Sequence, residues 1–306
     1  MNNPTGFADG IKGYSPDESG GVFDLLITPI QSAIEGRRNA LSWYYSIEGG
    51  QAKVFGVEGE VSGTVVIPEA FEGSPVTEIG DYLFTGSAMT AVVIPESVVK
   101  IGSCAFSACR QLGAVRIPAK VASIGEWAFA GCDTLMKFEV AADNAAYRAV
   151  NGLLFAKDGT DPIAGIGGDV TVPPGVKRIG TEVFYERSLG SVVLPPGVVE
   201  IGERAFAYST LREITIPASV TTIAGDAFYS CDQLVTVYVD KGDNDRVREL
   251  LRDAGASLSR ITIVSEFTET VDGIEWSYAT ANGEAVITWI AESPEGEPYG
   301  KGVGPS

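Results

Sequence analysis

Short runs of strict alternation recur along this chain, each closed by a proline. Val115-Arg116-Ile117-Pro118 is the clearest. Alternation places Val115 and Ile117 on one side and Arg116 on the other, the period of a half-buried strand. Pro118 has no N–H to give to a ladder, so the strand stops there. Apolar residues then return at a wider spacing, as Val121, Ile124, Ala128, Phe129, Cys132 and Leu135. The last four stand near one helical turn apart, which predicts a short outer helical segment that buries them. Gly125, between the two patterns, suits a tight turn or a close approach of backbones. Strand, turn and outer segment together make one coil around an apolar interior.

The same phrase returns. Ile94-Pro95, Ile101-Gly102, Ala105-Phe106, Cys109 and Leu112 form one copy, and Ile216-Pro217, Ile223, Ala227-Phe228, Cys231 and Leu234 another. Looser copies are Leu194-Pro195 with Ile201-Gly202 and Phe206, Val172-Pro173 with Ile179-Gly180 and Phe184, and Ile67-Pro68 with Ile79-Gly80 and Phe84. The best copies lie about 22–23 residues apart, within the leucine-rich-repeat range and below the helical-repeat ranges. One coil cannot bury its own apolar face, so the array holds only as a stack with covered ends. The expected architecture is an α/β solenoid. It is a right-handed superhelix with a parallel β-sheet on one face, short helical or irregular segments on the other, and hairpin and helix caps.

These residues resemble the BspA-like leucine-rich repeat, a variant of bacterial and protozoan surface proteins. No asparagine ladder follows the strand, unlike the common leucine-rich repeat. The resemblance covers roughly Trp43 to Val264. It implies a role in adhesion or interaction with other cells or matrix, and it supplies no catalytic residue.

In chain order, residues 1–40 read as a flexible segment rich in Gly, Pro, Asp and Ser, followed by a possible capping helix within Val22 to Leu41. Residues 41–60 carry Trp43-Tyr44-Tyr45 and Ala52-Lys53-Val54-Phe55 around Gly49-Gly50, a hairpin that covers the first coil. The array spans 61–239. It is interrupted over about 141–168, where Asn151-Gly152 and Asp158-Gly159 signal a hairpin-bearing excursion. That excursion is either a longer repeat or a loop that shapes a ligand rim. Residues 240–265 read as a helix and a strand that close the array, with Asp243, Asn244 and Asp245 as N-cap candidates and Gly255 at the helix end. Within 266–306, Trp276, Tyr278, Gly283, Ala285 and Ile287 repeat the spacing of Trp43, Tyr45, Gly50, Ala52 and Val54. A second hairpin of the opening type is therefore expected, either starting another array in a longer tandem protein or covering the far end.

Composition narrows the functions. The formal net charge is −18, which argues against nucleic acid, because neutralising phosphates needs clustered Lys and Arg. The chain has no histidine, so His-based triads, general bases and metal ligands are excluded together. An enzyme would have to work with carboxylates alone, and no pair at fixed spacing supplies them. No run approaches the roughly 18 apolar residues of a membrane helix, and no basic cluster precedes an apolar core at the N-terminus. The expected location is extracellular or on the cell surface, with leader and anchor outside this chain. No cofactor, metal or membrane insertion is expected. Asp240 to Asp245 has the acidic density of a Ca²⁺ loop without its spacing, and a helix N-terminus accounts for it.

Cys109, Cys132 and Cys231 share one repeat position, three after Phe, and read with Cys104 as small core residues. A Cys109–Cys132 disulfide between adjacent coils remains open. The candidate binding surface is the outward side of the strands, with Val66, Val93, Arg116, Glu139, Thr171, Val193, Thr215 and Tyr238, flanked by Lys137, Glu213 and Thr236. Exposed sheets of solenoids commonly bind partners, although β-branched residues also fit any pleated surface. The partner would be a protein or glycan on another cell or in extracellular matrix. The alternative is a structural spacer array within a longer tandem-repeat surface protein. Phe84, Phe106, Phe129, Phe184, Phe206 and Phe228 should form a ladder in the core. Phe129→Ala should therefore cost about 3–5 kcal/mol; an unchanged melting point would contradict this register.

Overall fold

The computed structural model describes residues 41–271, 274–281 and 284–290, with side chains over 41–265. The helix expected after Val22 and the tail beyond Ile290 lie outside the described residues. The chain winds as a β-solenoid of about nine turns with parallel sheets and little helix. In the strand-face sheets, Val115 and Ile117 are buried on either side of exposed Arg116, and Ile214 and Ile216 are buried on either side of Thr215. After each proline the chain makes a local turn, with Val98 N–H on Pro95 O and Val121 N–H on Pro118 O at 3.1 and 3.3 Å. Next come two-residue lateral strands such as Lys100–Ile101 and Ser123–Ile124, paired in parallel. The glycine after that isoleucine serves close approach. A Cβ on Gly125 would stand 2.4 Å from the Ser103 nitrogen of the coil before.

The outer segments are not helical. Each is a ribbon of overlapping turns. Over 102–109, the Ala105, Ser107 and Cys109 N–H groups bond back to Gly102, Cys104 and Phe106 carbonyls, at 3.4, 3.0 and 3.3 Å. The alternate N–H groups, of Cys104, Phe106 and Ala108, reach the next coil, bonding Glu126, Ala128 and Ala130 carbonyls at 3.0, 2.8 and 2.7 Å. An α-helix would direct its N–H groups along its own axis to the fourth residue back, and none to a neighbouring coil. The ribbon keeps the same inward spacing of Ala, Phe and Cys, which is why the sequence reads as helical. Its requirement is a left-handed backbone at two positions per coil, two residues before and two after the phenylalanine. These are Tyr82 and Gly86, Cys104 and Ala108, Trp127 and Gly131, Glu182 and Glu186, Arg204 and Tyr208, and Asp226 and Ser230, with φ from +51° to +73°.

The stack is made in two parts. Strands Ser62–Val66, Ala88–Val93, Ala114–Ile117 and Lys137–Val140 form one strand-face sheet, and a second begins at Gly168–Thr171 and runs on through Leu189–Val193, Glu213–Ile216, Thr236–Val239 and Thr262–Val271. Between them lies a small antiparallel sheet of Tyr147–Val150, Leu153–Ala156 and Pro162–Ala164. Its Asn151-Gly152 turn has φ +51° and +79°, the geometry in which Asn-Gly closes a two-residue hairpin. That turn wedges between the two sheets. Gly152 O accepts Phe138 N–H at 2.9 Å, and Asn151 Nδ2 donates to Thr171 O at 3.1 Å. The phenylalanine ladder is split accordingly. Phe84, Phe106 and Phe129 stack at 5.3 and 5.4 Å, and Phe184, Phe206 and Phe228 at 5.1 and 5.2 Å.

Side chains close the edges that the break opens. Tyr147 Oη accepts the Ile124 N–H at 2.8 Å, ending the first lateral sheet. Asp161 Oδ1 accepts the Lys177 and Arg178 N–H groups at 3.1 and 3.0 Å, starting the second. The buried Asn144 donates to Pro118 and Val121 carbonyls and accepts from Ala146 and Tyr147 N–H groups, all at 2.7–3.0 Å. On the outer side the guanidinium of Arg187 donates to the Phe129 carbonyl at 2.7 Å and to the Cys132 carbonyl.

At the ends, Ser42–Glu48 and Gln51–Glu58 form an antiparallel hairpin joined in parallel to Ser74–Ile79. The single α-helix among the described residues, Asn244–Asp253, buries Val247 and Leu251. It ends as the sequence suggests: Gly255 has φ +80°, and Ala256 N–H bonds Leu251 O at 3.1 Å. Its start differs. Asp243 stands at the N-cap without a side-chain cap bond, because its carboxylate pairs with Arg246 at 2.7 Å. Strands Ile274–Ala281 and Glu284–Ile290 then extend the second strand-face sheet as a hairpin.

An L-residue in the left-handed region is disfavoured by roughly 1–2 kcal/mol. Ala108 occupies the position that Gly86 and Gly131 fill in neighbouring coils. Ala108→Gly should therefore stabilise the fold by about 0.5–1 kcal/mol after the entropy gained by the unfolded chain. Gly131→Ala should destabilise it by at least as much. Denaturant midpoints measure both, and a loss of stability in Ala108→Gly would contradict the ribbon.

Candidate functional site

Parallel register sets the strand-face residues side by side. Val66 pairs with Val93, Arg116 with Glu139, Thr171 with Val193, Val193 with Thr215, and Thr215 with Tyr238. Their alternation with buried neighbours turns every one of them outward. Val66, Val93 and Val193 keep 38%, 50% and 43% of their surface in water, a large apolar exposure for residues that fit equally well inside. Arg116, Glu139 and Thr171 are exposed, and Thr215 and Tyr238 are half-buried. The middle of the row is charged: Arg116 pairs with Glu96, and Lys137 with Glu139 at 2.5 Å. These pairs are exposed and contribute little to stability. The carboxyl of Glu139 is held below its usual range by the Lys137 ammonium, so it stays ionised in mild acid.

The structure does not give one unbroken row. The exposed Asn151, at the tip of the excursion, stands between Glu139 and Thr171. The Asn-Gly pair announces a hairpin, but nothing in it announces where the hairpin lands.

A second exposed feature is missing from the strand-pattern reading. On the outer ribbons, Tyr185, Tyr208 and Tyr229 meet edge to face at 5.6 and 5.4 Å, with Tyr208 and Tyr229 exposed. The signal was available as tyrosines adjacent to or two after the repeat phenylalanine in three successive copies.

The cysteines are free and buried. Each repeat-position thiol donates backward to the phenylalanine carbonyl of the previous coil. Cys109 Sγ bonds Phe84 O at 3.1 Å, Cys132 Sγ bonds Phe106 O at 3.1 Å, and Cys231 Sγ bonds Phe206 O at 2.9 Å. They pin coils together one by one. In the acidic loop, Asp240 accepts the Ala218 N–H at 2.6 Å and Asp243 pairs with Arg246. Among the described residues no group of three or more acidic or cysteine side chains is placed to hold a metal, and no helix is long and apolar enough to cross a membrane.

A parallel solenoid with an Ile-Pro strand end and a stacked outer phenylalanine is a leucine-rich-repeat architecture. The BspA type leucine-rich repeat region matches residues 77–149 and 168–273, in six copies. The chain belongs to that family. The gap between the two matched stretches, 150–167, holds most of the excursion. Among solved structures, a leucine-rich repeat protein from Eubacterium ventriosum aligns with 58% of this chain and 60% of its own, at 22% identity and a TM-score of 0.43. The chain thus spans 60% of that protein's length. A leucine-rich cell surface protein from Faecalibacterium prausnitzii aligns over 70% and 89%, at 21% identity and a TM-score of 0.32. A leucine-rich repeat protein from Bacteroides ovatus aligns over 65% and 69%, at 21% identity and a TM-score of 0.32. No curated protein matches significantly.

Burial pushes the Cys109 and Cys231 thiols up to about 11 from an ordinary 9.0, and raises Cys104 and Cys132 as well. In the unfolded chain all four ionise near the ordinary value. The contribution of Cys109 and Cys231 to stability is therefore complete below pH 9 and is lost as pH rises from 9 through 11, and the raised Cys104 and Cys132 thiols add to it in the same direction. Urea midpoints should fall across that window. The fall should shrink in a Cys109→Ser/Cys231→Ser variant, which carries the residue found at Ser87 and Ser209. An equal fall in both proteins would remove the thiols from the account.

Proposed function

We propose that the outward strand row is a contact surface, and that the chain is a non-enzymatic interaction module of a cell-surface or secreted protein. The observation that carries this reading is the row itself: exposed valines on both flanks of a charged centre, aligned by parallel register within each of the two strand-face sheets. Rows of this kind combine apolar anchor area with charged groups that set orientation. The partner is a protein or glycan on another cell or in the extracellular matrix. Membership of a family whose relatives include a leucine-rich cell surface protein supports the placement outside the cell.

A second reading is favoured by the hairpins. Trp43 pairs with Val57 and Tyr45 with Val54, with a bulge between Tyr44 and Tyr45. Trp276 pairs with Ile290 and Tyr278 with Ile287, with a bulge between Ser277 and Tyr278. The same irregular hairpin thus stands before and after the array, as expected of a spacer in a tandem protein.

One experiment separates the two. The full chain is screened against matrix proteins, glycans and whole cells, beside an Arg116→Glu/Tyr238→Ala variant of unchanged melting point. Binding that weakens at least tenfold in the variant supports the contact surface. Binding that the variant leaves intact counts against both the strand row and the spacer, and an absence of binding throughout transfers support to the spacer.

A further inference from the structure

The break in the stack leaves a cavity of about 580 Å³ on the outer side, within the range of small-ligand and short-peptide sites. One wall is the ribbon around Trp127 and Phe129, and the facing wall is Thr181 to Val183. Everywhere else such ribbons are bonded to each other. Phe84 N–H meets Ala105 O, Phe106 meets Ala128, Phe184 meets Ala205, and Phe206 meets Ala227, at 2.8–2.9 Å. By that rule Phe129 N–H should meet Val183 O, but the excursion's Gly165 N–H takes that carbonyl at 2.8 Å. Among the described residues no backbone acceptor replaces it for Phe129, or for Trp127, the counterpart of Cys104. The Gly131 N–H, counterpart of that of Ala108, likewise has no backbone acceptor among the described residues, so three donors two residues apart are left where a coil would lie, and Trp127 and Phe129 are the two that line the cavity.

The same cavity is lined by a buried cation. Arg187 is 2% exposed and stands where the other coils have Ser87, Cys109, Cys132, Ser209 and Cys231. It reaches back to the Phe129 carbonyl as the thiols reach to theirs, but across the gap. Its two bonds go to neutral carbonyls and its Nε has no partner. The charge of Asp133 acts on it, but that carboxylate pairs with Arg110 and makes no ion pair with Arg187 among the described residues. A buried guanidinium that is not ion-paired is costly, and its planar fork fits a carboxylate. Glu126 and Glu182 also line the cavity. Glu182 lies 3.5 Å from Arg204, and Glu126 is exposed. They limit the site to a ligand of low charge.

We infer that this cavity binds an extended peptide segment carrying one carboxylate. Its backbone carbonyls accept from the Trp127 and Phe129 N–H groups, as a neighbouring coil's would, and its carboxylate meets Arg187. Trp127, 52% exposed, stands at the rim to cover an apolar side chain. This site is separate from the strand row and does not depend on it.

The test is a positional library of blocked pentapeptides, with the best binder resynthesised as Asp and Asn twins and titrated against the full chain. The expected result is selection for Asp or Glu at one position, at least tenfold weaker binding of the Asn twin, and slowed amide exchange at Trp127 and Phe129 on binding. Arg187→Ser, if its melting point shows it folded, should lose at least tenfold in affinity for the Asp peptide. If it does not fold, the twins and the two amides decide alone. A second series with a free C-terminal carboxylate and no internal acid shows which carboxylate the site takes. Selection blind to acid, selection for basic peptides, no binding, or binding that leaves both amides unchanged would overturn the inference.

Discussion

Half of the N–H groups on the outer ribbon of an ordinary coil belong to the next coil. This sharing is the constraint on which the remaining regularities depend. A ribbon that alternates between local turns and inter-coil bonds must return to the same height after each circuit, so the repeat length is held near 22 residues. It brings neighbouring backbones so close that a Cβ at Gly102 or Gly125 would stand 2.4–2.5 Å from the coil before, although Ala224 fills the same place in the last copy. It sets the phenylalanine rings 5.1–5.4 Å apart in stacks. It also leaves one phenylalanine carbonyl per coil for a small donor three residues on in the next, and a buried thiol serves there. The left-handed residues are the cost of this arrangement, accepted at ten positions that are not glycine.

Where the rule is suspended, side chains stand in for backbone. Tyr147 and Asp161 close the two lateral sheets, Asn144 fills a buried turn, and Arg187 bridges the outer ribbons. The substitution is complete on the lateral sheets and incomplete on the ribbon, where Trp127 and Phe129 lose their partners. Buried polar groups are ordinarily satisfied; of the three buried side-chain atoms without a partner among the described residues, Asp133 Oδ1 and Arg187 Nε lie at this joint and Trp43 Nε1 in the opening hairpin.

Much of this was legible in the residues. Alternation fixed which strand residues face out, because a one-residue slip would have put Arg116 inside and Ile117 in water. The proline stops and the phenylalanine period located the coils. The outer segments were misread as helical because side-chain spacing reports which residues share an interior, and a turn ribbon and a helix share them alike. Backbone sign alone separates the two, and cysteine, arginine or tyrosine in the left-handed region leaves no mark in composition. The break was legible as Asn151-Gly152, but its consequence was not. That Arg187 occupies a serine and cysteine position could be seen by aligning the copies. That it spans a gap to Phe129, 58 residues away in sequence, depends on the missing coil between them.

Solenoids distribute stability as intrinsic terms for each repeat and coupling terms between neighbours. At every ordinary contact here the coupling includes sheet bonds, ribbon bonds and ring stacking together. At the joint the ring stack is absent, and the outer side is held by the Arg187 guanidinium, the Ser188 N–H on Asp133 O at 3.2 Å and the Arg110–Glu186 pair. Single side chains replace the lateral ladders. Coupling between the coils up to Val140 and those from Gly168 therefore rests on contacts peculiar to the excursion and its neighbours, not on the repeat itself.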